Sequence, residues 1–102
     1  MPLPLLAILG ASLVIGTLVV VALLKWSEIV DWFRNRSVLK QSDKDNIAVM
    51  VRTQLASGHV REIHGIFNTQ TEEVLDGQQY EAKELDQDLQ EVFGSEDVVV
   101  LS

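Results

Sequence analysis

The chain has 102 residues, eight basic against fifteen acidic, and a formal net charge of −7. That length allows one small domain and one anchoring segment. The acidic balance argues against nucleic acid as the main partner, since phosphate binding needs a basic surface. There is no cysteine, which excludes a disulfide framework, a thiolate metal site and a thiol nucleophile.

Residues 5–24 are apolar and uncharged, with seven Leu, two Ile and four Val. As a helix rising 1.5 Å per residue they would extend roughly 30 Å, the thickness of a bilayer's hydrocarbon core. The run predicts a transmembrane anchor over residues 1–24. Pro2 and Pro4 suit its first turn. Ala7/Ala11 and Ser12/Gly16 are small pairs of the kind that let membrane helices approach closely. A cleaved signal peptide is the weaker reading, because no basic residue precedes Lys25 and Leu23-Leu24-Lys25 is not a small-residue cleavage site. Lys25, Arg34, Arg36 and Lys40 all follow the span, so the positive-inside rule puts the N-terminus outside and the remainder on the cytoplasmic or stromal side.

Residues 25–36 are expected to continue as an interfacial amphipathic collar. Trp26, Ile29, Val30 and Phe33 form one helical stripe, flanked by Trp32. Lys25, Trp26, Trp32, Phe33, Arg34 and Arg36 form a candidate membrane interface, with lipid as a partner. Residues 37–46 are polar and mixed in charge, and read as a linker.

A small soluble domain is expected over 47–102. Ile47, Val49, Val51, Thr53 and Leu55 alternate with Ala48, Met50, Arg52, Gln54 and Ala56, which predicts a strand. The competing reading is a helix over 43–57. Ser57-Gly58 as a two-residue turn would lead into a second strand, placing Leu55 opposite Val60, Thr53 opposite Glu62, Val51 opposite His64 and Val49 opposite Ile66. In that register Met50, Ile63 and Phe67 lie together with Arg52 and Arg61 on the outer face. Those five residues are a candidate partner interface, an apolar centre with an arginine rim. A third strand is predicted over 72–81, bulged or broken at Asp76-Gly77, which could alternatively close a short hairpin of its own. A helix follows over 82–93, with Leu85, Leu89, Val92 and Phe93 inward and Gly94 as its stop. Val98 to Leu101 reads as a short strand. The expected fold is thus α+β: a single transmembrane helix followed by a β-β-β-α-β domain.

Charge is divided along the chain. Lys25 to Arg61 holds seven basic and four acidic residues, whereas Glu62 to Ser102 holds one and eleven. His59 and His64 would face opposite ways on one strand and could not share a metal. Glu62 and His64 share a face, but no nucleophile or pocket motif accompanies them. Isolated glycines form no phosphate loop. No catalytic residue, cofactor, metal or small-molecule substrate is expected.

These features suggest a non-catalytic, single-pass membrane protein whose domain docks a partner, as an accessory, assembly or regulatory subunit of a larger membrane complex such as an energy-transducing one. The alternatives are a self-associating scaffold paired through Val98 to Leu101, and a lipid-surface sensor acting through Arg34, Arg36 and Lys40.

Overall fold

The structure is a computed structural model and describes residues 17–101. The elements run in the order β1 (Val19–Leu24), α1 (Trp26–Arg34), α2 (Ser37–Gln41), β2 (Asn46–Gln54), β3 (Val60–Asn68), β4 (Glu73–Leu85), α3 (Gln87–Phe93) and β5 (Val98–Val100). The five strands make one mixed sheet in the order β1-β4-β3-β2-β5. β1 runs parallel to β4, and every other pairing is antiparallel.

This corrects the expected anchor. Residues 19–24 form a strand that pairs Val19 with Tyr80 and Leu24 with Leu85. Among the described residues no helix is long and apolar enough to cross a membrane, a finding that leaves β-barrels aside. It overturns the transmembrane helix, the single-pass topology and the orientation drawn from it. The small pairs Ala7/Ala11 and Ser12/Gly16, and the rest of the run before Thr17, lie outside the described residues. The physical reason lies in Val19-Val20-Val21. Three β-branched residues are stiff at χ1 and fit a pleated surface, and hydropathy alone does not separate such a strand from part of a membrane helix.

The collar is a helix, but it folds back onto the sheet. Ile29 is fully buried among Leu24, Met50, Ala82, Leu85, Leu89 and Phe93, with Trp26 and Phe33 packed beside it. Burying one such side chain is worth about 1.5–3 kcal/mol. Asp86 fixes the corner. Its Oδ1 accepts hydrogen bonds from the N–H of Trp26 at 3.2 Å and of Leu89 at 2.9 Å, so one carboxylate holds the first turns of both α1 and α3. The expected linker contains α2. It is tied to β2 by Asn46, whose Nδ2 donates to the Leu39 carbonyl at 3.0 Å.

Residues 46–54 form a strand and not the helix considered over 43–57. The β2–β3 register departs by one residue from the expected one: Met50 faces His64, Val51 faces Ile63 and Thr53 faces Arg61. The cause is the connection. Leu55 N–H donates to the His59 carbonyl at 2.8 Å, leaving Ala56, Ser57 and Gly58 as a three-residue loop with Gly58 at φ 90°. One extra loop residue exchanges the two faces of the partner strand. β4 is longer than expected, running through Asp76-Gly77 to Leu85 with a bulge between the Ile66–Asp76 and Phe67–Val74 pairs. The helix over 82–93 is correspondingly shortened to Gln87–Phe93, because Ala82 and Leu85 belong to the strand beside β1.

Candidate functional site

On the helix side of the sheet, Glu62 and His64 stand two residues apart on β3 and are 0% and 1% exposed. His64 Nδ1 lies 2.7 and 2.9 Å from the two oxygens of Glu62. Three rings enclose the imidazole. Trp32 meets it edge-to-face at 4.9 Å, Phe33 is tilted at 5.7 Å, and Tyr80 stacks at 5.9 Å. Arg36 closes the outside of this cage. Its guanidinium lies 3.9 Å over the Trp32 ring, and its Nε donates to Asp76 Oδ2 at 2.7 Å.

Burial lifts the Glu62 carboxyl above its ordinary value, opposed by the charge and hydrogen bond of His64. The Tyr80 hydroxyl is also raised, by burial first and then by Glu28 and Glu62. His64 Nε2 is buried with no hydrogen-bond partner. A carboxylate holding one imidazole nitrogen leaves the other available for proton transfer. Here that nitrogen is buried inside the aromatic cage. Among the described residues, no group of three metal-ligating side chains gathers.

The accessible site lies on the outside of α1. A groove of about 390 Å³ runs between α1, α2 and the β2–β5 edge. Trp26, Val30, Phe33, Ala48 and Leu101 give it an apolar lining, and Arg34 and Lys40 give it cationic groups. Leu101 is held there by its N–H, which donates to the Ala48 carbonyl at 2.8 Å. Arg34 is 77% exposed and reaches Asp31 only at 3.8 Å. Among the described residues no carboxylate is paired with Lys40. A second cleft, of about 460 Å³, is more polar, and its Arg52 is already paired with Asp97 at 3.2 Å.

The residues singled out from the sequence are therefore distributed differently. Trp26, Phe33 and Arg34 line the groove, Trp32 and Arg36 form the cage, and Lys25 is exposed at the β1–α1 junction. Met50 is fully buried on the helix side, while Ile63 at 3% and Phe67 at 1% exposure lie on the opposite face with Arg61. Arg52 shares the face of Met50, donating to the Gly94 carbonyl at 3.0 Å and lying 4.8 Å over the Phe93 ring. The five do not form one surface. Val30 and Lys40, which the sequence places in the collar stripe and among its membrane-facing cations, line the groove as well, and Ala48 and Leu101 carry no sequence signal for it. Only the Trp26–Val30–Phe33 stripe signalled it, because Ala48 and Leu101 reach the groove through strand pairing.

The fold and groove define a small α+β domain with a mixed five-stranded sheet and a one-sided surface groove. Comparison with known proteins gives no match to any family model, curated protein or solved structure.

Proposed function

We propose that the chain is a non-catalytic docking domain, an accessory or regulatory module that holds an acidic amphipathic segment of a partner protein in the α1 groove. The observation that carries this reading is the pairing of an apolar lining with Arg34 and Lys40 in a chain of net charge −7. An amphipathic helix lays its apolar face into such a groove, and charge at the rim selects the partner. The enclosure of Glu62 and His64 supports a binding role over a catalytic one.

A synthetic helix with leucines at i, i+3, i+4 and i+7 and glutamates on its flanks tests the proposal, against a lysine-flanked twin and anionic vesicles. Trp26 fluorescence in a Trp32→Phe background reports occupancy. The glutamate helix is expected to bind, and Arg34→Glu with Lys40→Glu to weaken it about tenfold. Equal binding of the lysine twin, or binding of vesicles alone, overturns the proposal.

A further inference from the structure

β1 is an edge strand unlike its opposite number. β5 is three residues long and follows Glu96 and Asp97, the short, charged kind of edge that resists further pairing. β1 has six residues, VVVALL, with no charge and no proline. Among the described residues it pairs with β4 on one side only. Its side chains remain open to solvent: Val20 is 66% exposed, Leu23 41% and Val19 38%. An uncharged apolar strand whose outer edge meets no other strand among the described residues is a template for another strand.

We infer that the strand added there is β1 of a second copy, antiparallel about a two-fold axis at Val21, so that two sheets become one. The sequence is self-complementary in that register. Val21 meets its own copy, Val19 meets Leu23, Val20 meets Ala22 and Lys25 meets Thr17. Every pair within the strand is apolar, and no like charges stand opposite one another. The register also keeps the helix-covered faces of both sheets on the same side, because residues of equal parity are paired.

The net charge of −7 does not prevent this contact. The nearest acidic strand is β4, with Glu81 beside Val20 and Glu84 beside Leu23. The two β4 strands of the dimer are three strand spacings apart, about 14 Å. That exceeds the Debye length of about 8 Å at physiological salt. At low salt the net negative charge of the two copies still opposes association, and added salt screens it. The pairing leaves the α1 groove of each copy untouched, so it stands apart from the docking role proposed above.

Sedimentation of the full chain, with cysteine crosslinking, tests the inference. The wild type is expected to sediment as a dimer, more completely as salt rises. Val20→Lys is expected to give a monomer with an unchanged circular dichroism spectrum and a melting temperature that no longer rises with protein concentration. The chain has no native cysteine. Val21→Cys should therefore form a disulfide-linked dimer under mild oxidation, while Leu23→Cys, about 13 Å from its counterpart in this register, should not. A monomer at concentrations up to about 1 mM overturns the inference. A dimer that survives Val20→Lys, or Leu23→Cys crosslinking as readily as Val21→Cys, does the same.

Discussion

Gly65 sits in the middle strand of the sheet, opposite Gly77 and one residue before the β3–β4 bulge. A Cβ built there would lie 2.6 Å from the Asp76 carbonyl oxygen and 3.3 Å from Gly77 Cα. Both neighbours are backbone, so no side chain can swing aside. For Gly65→Ala, β3 and β4 must shift apart, because 2.6 Å is closer than a real Cβ approaches a backbone oxygen. Overpacking of this kind costs about 1–3 kcal/mol. Weakening one ladder hydrogen bond adds about 1 kcal/mol, for a total of about 2–4 kcal/mol. At about 4–8 °C per kcal/mol for a domain of this size, the melting temperature should fall by about 8–30 °C. Gly58→Ala is the control. Nothing lies within 4 Å of a Cβ there, and the only cost is the backbone at φ +90°. That strain is worth about 1–3 kcal/mol, so its melting temperature should fall less than that of Gly65→Ala. Thermal denaturation followed by circular dichroism decides the matter. A Gly65→Ala protein melting within about 4 °C of wild type, or above Gly58→Ala, would refute the close approach of β3 and β4.

Glu62 ties stability to pH. Its carboxyl is raised by burial, so the folded protein keeps the proton to higher pH than the unfolded chain. The stability from this group is complete below the unfolded value and declines as pH rises through the folded one. Denaturant midpoints measured upward from about pH 4 should therefore decline more steeply in wild type than in Glu62→Gln. Identical slopes would show that Glu62 does not carry the effect. Asp86→Ala removes an N-cap bond to Leu89 and the bond to Trp26 together. A cap alone is worth about 0.5–2 kcal/mol, and Asp86→Asn should restore most of the loss in urea denaturation. If Asn is as damaging as Ala, the cap is not the source.

The sequence and the structure agree where local pattern and pairing demand the same thing. The alternation from Ile47 to Gln54 specifies a strand because every second side chain meets one surface. The stripe of Trp26, Ile29, Val30 and Phe33 specifies an amphipathic helix, but not what it covers. Bilayer and sheet both receive apolar rings, and the helix covers the imidazole of His64. The groove was hidden for a related reason. Ala48 and Leu101 are 53 residues apart in sequence, and they meet only because β5 pairs with β2.

Composition, charge division and the positions of α1 and β2 were determined by the amino-acid order alone, since each depends on neighbours within a few residues. Tertiary structure decided the partner of the apolar run at Val19–Leu24, the length of β4, and the faces on which Met50, Ile63 and Phe67 fall. A single added loop residue inverts a strand, and an apolar strand takes its place only once another strand offers its hydrogen bonds.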